Sequence, residues 1–117
     1  NIHRLKSELV ELLEQLKDEG NSIAGYGAAA KGNTLLNYYD IGTETIEFIA
    51  DKNELKQGKY TPGSNIPVVA PDHIYEADPD YILILAWNFS EEIITQQEEF
   101  KEEGGKFIIP IPEVKII

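Results

Sequence analysis

Small residues and one lysine lie close together near the start of the chain, in the stretch SIAGYGAAAKGNT (22–34). Gly25, Gly27 and Ala30 match the G-x-G-x-x-G/A spacing of a strand-to-helix turn that binds anions. In such a motif the first glycine allows the tight turn and the second lets a ligand approach bare backbone. The small third residue lets helix and strand pack closely. We therefore predict that Gly25, Gly27 and Ala28 belong to a phosphate-binding turn at a helix start.

Lys31 strengthens this prediction. A lysine in the first turn of a helix sits at the unfavourable end of the helix dipole, and a bound anion would reverse that cost. Asn33 and Thr34 follow and could donate hydrogen bonds to phosphate or sugar oxygens. Two alternatives stay open at this point, because many glycine turns bind nothing and Lys31 could simply extend into water.

Three further positions are candidates for ligand contact. Lys56 and Tyr60 lie in a loop rich in turn-forming residues, LKQGKYTPGSNIP (55–67), although a plain surface loop is the alternative. Asn88 follows an apolar strand and could contact a ligand or cap the next helix. Asp51, at the end of another strand, could bind a ribose but is better placed to cap the turn after it.

The composition argues against several classes of function. A formal net charge of −11 disfavours nucleic-acid binding, which needs Lys and Arg to neutralise phosphates. The chain has no cysteine, and His3 and His73 are far apart, so we expect no metal site. No apolar run approaches a membrane span of ~18 residues, and no signal peptide is recognisable. We expect a cytoplasmic protein with no membrane or nucleic-acid partner.

The hydrophobic pattern predicts alternating strands and helices, and therefore an α/β fold. We expect a three-layer, Rossmann-like parallel sheet of about five strands in the order 3-2-1-4-5. The glycine turn and Trp87-Asn88 would then meet at the switch point of the sheet. The predicted strands are Ile23–Ala24, Thr45–Asp51, Val68–Val69, Asp80–Ala86 and Lys106–Ile111, and the predicted helices are 2–19, 28–39, 71–76 and 90–103.

The first helix could simply pack on the sheet, and it could also connect this domain to another one. Its leucines recur every three or four residues, and Gly20 is a typical stop. Because the chain lacks an initiating Met, we expect residues 1–20 to link a missing domain to a domain formed by residues 21–117.

Four motifs, in order, resemble one known family. They are GYGAAAKGNT, then D-K-N-x-x-K-Q-G-K-Y-x-P-G-S-x-I-P-V, then L-A-W-N-F, then K-F-I-I-P-I-P. Together they resemble the C-terminal domain of sugar C-methyltransferases, which use S-adenosylmethionine to methylate nucleotide-linked keto-deoxysugars. The resemblance covers about Ser22 to Ile111.

The resemblance implies a division of labour within a longer enzyme. This domain would help to hold the nucleotide-diphosphate sugar, with candidate contacts at Gly27, Ala28, Lys31, Asn33 and Thr34 and further ones at Lys56, Tyr60 and Asn88. S-adenosylmethionine, zinc and the catalytic groups would belong to the missing domains. The reaction would be deprotonation beside the keto group, followed by attack of the enolate carbon on the methyl sulfonium. This domain would then hold no cofactor or catalytic residue, and it would not transfer methyl groups alone.

Two other functions fit the residues in part. An NAD(P)-binding domain of an oxidoreductase would also use the glycine spacing and Asp51. A non-catalytic interaction domain would use the turn only structurally, and a turn packed shut by side chains would favour it.

Overall fold

The computed structural model describes the backbone of residues 2–117 and the side chains of residues 8–117. It contains one six-stranded sheet, in the order β3-β2-β1-β4-β5-β6, in which only the β5–β6 pair is antiparallel. The predicted α/β class and the 3-2-1-4-5 order are confirmed. The strands are β1 (Ile23–Tyr26), β2 (Ile49–Ala50), β3 (Val68–Val69), β4 (Tyr81–Ile84), β5 (Lys106–Ile109) and β6 (Lys115–Ile116).

Helices cover both faces of the sheet, because its inner strands are apolar on both sides. On one face, α1 (Ile2–Asp18) and α2 (Ala30–Tyr38) pack their leucines on residues such as Ile23, Leu83 and Ile108. On the other face, residues of α3 (His73–Ala77), α4 (Ser90–Gln96) and α5 (Glu98–Glu102) pack on alternate residues of the same strands. The expected three layers are thus present.

Helices α1 and α2 both end at a residue in the left-handed conformation. Gly20 has φ +92°, and the Asn21 and Gly20 N–H groups donate to the carbonyls of Leu16 and Lys17. This is the paired bonding of a Schellman motif. Asp40, with φ 55°, ends α2 in the same way.

Helix α1 is part of the main core, since Leu9, Leu13 and Leu16 are buried in it. Its first side chains, including Ile2 and Leu5, lie outside the described residues. The division at residue 20 and the linking role of α1 remain predictions. Among the described residues, no helix is both long and apolar enough to cross a membrane.

Several element ends shift by one or two residues, such as the start of α2 at Ala30 rather than Ala28, and three differences are larger. Residues 115–116 add an antiparallel strand after β5, which the short apolar tail did not indicate. The helix predicted for 90–103 is broken at Gln97, where ψ is 32°. Strand β2 covers two residues rather than seven, although the Glu47 N–H donates to the Ile23 carbonyl and the Phe48 carbonyl accepts from the Gly25 N–H before β2 begins.

Candidate ligand-binding site

The turn after β1 is formed by Gly27 rather than Gly25. Gly27 has φ +93°, and a Cβ there would lie 2.6 Å from the Ala86 Cβ atom, so only glycine fits. Gly25 lies inside β1, where a Cβ would come within 3.1 Å of the Ile49 and Leu85 side chains. The prediction that Gly25 makes the turn is therefore wrong, since its role is packing.

Close packing of helix on strand is likewise provided by a different residue. The motif assigns this role to Ala30, but Ala30 is exposed at the start of α2. A Cβ on Gly32 would lie 2.7 Å from the Leu85 Cβ atom, so Gly32 is the residue that lets α2 approach the sheet. The glycine spacing thus locates the turn correctly but misassigns two of its three roles.

Two charged side chains hold the turn on either side of Ala28. Asp51 Oδ2 accepts a hydrogen bond from the Ala28 N–H at 2.8 Å, and Lys56 Nζ donates to the Ala28 carbonyl at 2.9 Å. The Lys56 ammonium lies 4.0 Å from Asp51 Oδ2. Asp51 Oδ1 accepts from the Asn53 N–H at 2.8 Å, which confirms the predicted capping of the next turn. Both oxygens of the carboxylate are therefore engaged by backbone.

A cavity of about 430 Å³ opens beside this turn, and we call it the turn cavity. One wall is residues 27–30 with Asn33, and the other is the loop from Leu55 to Pro62. Lys56 and Lys59 line it, and no acidic side chain of the described residues does. The first-turn N–H groups of α2 have no partner within the helix, and the N-cap residue Ala29 offers no side chain to cap them. An otherwise acidic chain thus gathers positive charge at one place.

The loop that forms the second wall is held in a defined shape. Asn37 Nδ2 donates to the Pro62 carbonyl at 3.0 Å, and the Gln57 side chain donates to the Asp51 carbonyl at 2.8 Å. Tyr60 pairs with Pro67 across an antiparallel bridge. Leu55 and Tyr60 are nonetheless 80% and 66% exposed at the rim of the turn cavity, where they offer an apolar surface to a ligand.

Asn33 adds a polar group to the turn cavity. Its Oδ1 atom is buried and accepts no hydrogen bond, although buried acceptors are nearly always paired. A ligand hydroxyl or N–H group reaching this wall would satisfy it.

A second cavity, of about 390 Å³, lies on the other side of α2. We call it the Trp87 cavity. Lys31 and Thr34 line it, with Trp87 and Ile111 from the ends of β4 and β5, and its remaining residues are Leu35, Tyr38 and Tyr39. The Thr34 hydroxyl donates to the Ala30 carbonyl at 3.0 Å.

The nine predicted site residues therefore divide into three groups. Gly27, Ala28, Asn33, Lys56 and Tyr60 line the turn cavity, whereas Lys31 and Thr34 line the Trp87 cavity. Gly25 and Asn88 line neither. Asn88 is exposed in a short 3-10 helix (Trp87–Phe89) and caps neither that helix nor α4, so the capping prediction is wrong.

Helical geometry explains why Lys31 and Asn33 separate. Residues two apart on a helix point about 200° away from each other, since each residue turns the chain by about 100°. The ammonium group beside the glycine turn therefore comes from Lys56, not from Lys31.

The predicted contact residues do not include Leu55, Lys59 or Trp87, although Trp87 is expected at the switch point of the sheet. Lys59 follows Lys56 by three residues in the same loop, and Trp87 follows a buried strand at the carboxyl edge of the sheet. Both positions are signals that could have identified them. The exposed Leu55 carries no comparable signal, because a single apolar residue in a polar loop does not indicate which part of the molecule it will lie beside.

Two observations on the described residues concern a metal ion and a cationic methyl donor. They contain no group of three or more histidine, aspartate or glutamate side chains that could hold a metal ion. The turn cavity also does not suit a cationic methyl donor, because Lys56 and Lys59 would repel a sulfonium.

Comparison with known proteins gives the family. A family model described as the C-methyltransferase C-terminal domain matches residues 1–112. The chain is also 45% identical over 114 residues to the C-methyltransferase NovU of Streptomyces niveus, a match that covers 97% of this chain. The chain spans 27% of the length of that relative. The chain therefore belongs to the C-methyltransferase C-terminal domain family.

Proposed function

We propose that this chain is the nucleotide-sugar-binding domain of an S-adenosylmethionine-dependent sugar C-methyltransferase. It holds a nucleotide-linked keto-deoxysugar while another domain of the same polypeptide binds the methyl donor and carries out the chemistry. The proposal also keeps the cytoplasmic location expected from the sequence.

One observation carries the ligand-binding role. The turn cavity combines the ammonium groups of Lys56 and Lys59 with the first-turn amides of α2, which is a suitable environment for a diphosphate. Tyr60 offers an aromatic surface for a base or ribose at the rim. The turn opens into a cavity instead of being packed shut, which counts against the non-catalytic interaction domain.

The position of Asp51 disfavours the oxidoreductase alternative. In dinucleotide-binding folds, the acid at the end of the second strand accepts hydrogen bonds from the ribose. Here both oxygens of that acid accept backbone N–H groups at 2.8 Å. A nicotinamide dinucleotide would have to share these acceptors with the backbone instead of finding them free.

Calorimetric titration of the chain with thymidine diphosphate tests the proposal. Lys56→Ala and Lys59→Ala should each weaken binding about tenfold or more, because each removes a charge-assisted hydrogen bond to phosphate. Lys101→Ala is the matched control, since it makes the same change in net charge at an exposed lysine of α5, away from the glycine turn. Its affinity should equal that of the unmodified chain.

Two results would contradict the proposal. One is the absence of heat of binding with thymidine diphosphate at millimolar concentration. The other is an equal loss of affinity in all three lysine variants, which would show attraction by net charge rather than a site. A separate titration with NAD tests the oxidoreductase alternative, and we expect it to show no binding.

A further inference from the structure

The Trp87 cavity and the turn cavity lie on opposite sides of α2, and residues at the start of this helix contribute to both. Ala28, Ala29 and Ala30 face the turn cavity, and Lys31, the next residue, faces the Trp87 cavity. Both cavities also contain side chains that follow the carboxyl ends of strands, which is the edge where open α/β sheets bind ligands. A diphosphate held at the helix start would therefore have one cavity on each side.

The two cavities differ in chemistry. The turn cavity has two lysines and the buried unpaired acceptor of Asn33, whereas the Trp87 cavity has one lysine and is otherwise mainly aromatic and aliphatic. Trp87 is half-buried against the main core, which fixes its ring while leaving part of it open. The Tyr38 and Tyr39 rings, with centroids 5.4 Å apart in an edge-to-face arrangement, line the same cavity.

We propose that the Trp87 cavity receives the sugar ring of the nucleotide-sugar, while the turn cavity receives the nucleoside. This inference rests on the proposed function and assigns the two halves of its ligand. A deoxyhexose ring has one face of C–H groups and a methyl substituent, which pack favourably on an indole ring. Lys31, at the rim, faces the phosphate that is joined to the sugar.

The polarity of each half of the ligand favours this orientation. The nucleoside side carries the hydrogen-bonding base and ribose, which match Asn33, Lys56, Lys59 and the exposed ring of Tyr60. The sugar side carries fewer polar groups because it is deoxygenated, and the Trp87 cavity has few polar groups to offer. The reverse orientation would leave the base and ribose donors and acceptors in a cavity where only Lys31, Thr34 and the tyrosine hydroxyl groups could pair with them.

Trp87 is the only tryptophan in the sequence, so its fluorescence reports on this cavity alone. Thymidine diphosphate and thymidine diphosphate joined to a 6-deoxyhexose are the two probes. We expect the conjugate to bind about tenfold tighter and to change the Trp87 emission. Thymidine diphosphate alone should bind with the emission nearly unchanged.

A pair of variants separates contact with the ring from a general effect. Trp87→Leu should remove the tenfold advantage of the conjugate while leaving the affinity for thymidine diphosphate intact. Phe89→Leu is the matched control, because Phe89 is an exposed aromatic residue in the same short helix and does not line the Trp87 cavity. It should keep the advantage in full.

The outcomes distinguish this inference from the proposed function. If thymidine diphosphate binds but the conjugate gives the same affinity and the same emission, the sugar lies elsewhere and only this inference fails. If neither probe binds, both fail. The emission measurement uses the unmodified chain, so the test stands even if Trp87→Leu does not fold.

Discussion

Asp51 shows how one carboxylate can organise the backbone around a candidate site. Its two oxygens join the end of β2 to the glycine turn and to the start of the next loop. Lys56 completes the connection by donating to the carbonyl of Ala28, the residue whose N–H group donates to Asp51. The orientation of the amides at the start of α2 thus depends on a side chain from a neighbouring strand.

Replacing this side chain should cost stability. Asp51→Ala removes the charged acceptor of two backbone N–H groups, from a side chain that is only 15% exposed. We expect the free energy of unfolding to fall by about 2–3 kcal/mol, and by less in Asp51→Asn, which keeps one acceptor oxygen. Urea unfolding followed by circular dichroism measures both values.

Asp72→Ala is the control for this prediction, because Asp72 is exposed and its side chain makes no capping hydrogen bond. Its effect should stay within about 0.5 kcal/mol. If Asp51→Ala were as mild as this control, the two hydrogen bonds would contribute little to the fold.

At the scale of elements, α2 is the partition that creates two cavities from one sheet edge. Its side chains alternate between them in helical order, with Asn33 and Leu36 on one side and Lys31, Thr34 and Leu35 on the other. Gly32 allows this partition to lie close to the sheet, and any side chain there would push the helix outward.

The parts of the fold that follow from local rules could be predicted from sequence. Alternating apolar segments indicated five strands in their correct order, and Gly20 indicated the end of α1. What could not be predicted depends on contacts between distant residues. The pairing of residues 115–116 with β5 and the joining of Lys56 to Ala28 are examples, since nothing in the local sequence encodes either partner.

The break between α4 and α5 is another long-range effect. Gln97 is buried at the break, where its Oε1 atom accepts from the Tyr75 hydroxyl at 2.8 Å and its Nε2 atom donates to the Tyr26 hydroxyl at 3.4 Å. The side chain therefore connects α3 and β1 to the pair of helices α4 and α5. In the sequence, Gln97 falls on the same predicted helix face as the apolar Ile93 and Phe100, and this spacing concealed its polar role.

Removing the Gln97 amide tests that connection. Gln97→Leu keeps a similar volume but leaves the Tyr75 hydroxyl without its acceptor, so the free energy of unfolding should fall by about 1–3 kcal/mol. The neighbouring Gln96→Leu is the matched control, because Gln96 is exposed and should change stability little. Equal unfolding midpoints for the two variants, measured in urea, would show that Gln97 is not a structural connector.

For the whole molecule, excess acidic charge surrounds a core that contains two buried tyrosines, Tyr26 and Tyr39, and the half-buried Tyr75. Burial raises the pKa of Tyr26, Tyr39 and Tyr75 above the ordinary value of 10.0. For Tyr26 the charge of Asp51 acts in the same direction, while the hydrogen bond from Gln97 partly opposes it. The native state therefore keeps these protons at a pH where the unfolded chain releases them.

This difference sets the sign of an alkaline pH dependence. Because the folded-state pKa values are raised, the associated stability is complete below about pH 10 and is lost as the pH rises through the folded values. The free energy of unfolding, measured in urea between pH 7 and 11, should therefore fall on the alkaline side.

Tyr26→Phe should make that fall shallower, whatever its effect at neutral pH. Tyr60→Phe, at a side chain 66% exposed, should leave the slope as in the unmodified chain. Identical slopes for all three proteins would mean that the titration of other groups, such as the lysines, governs alkaline unfolding.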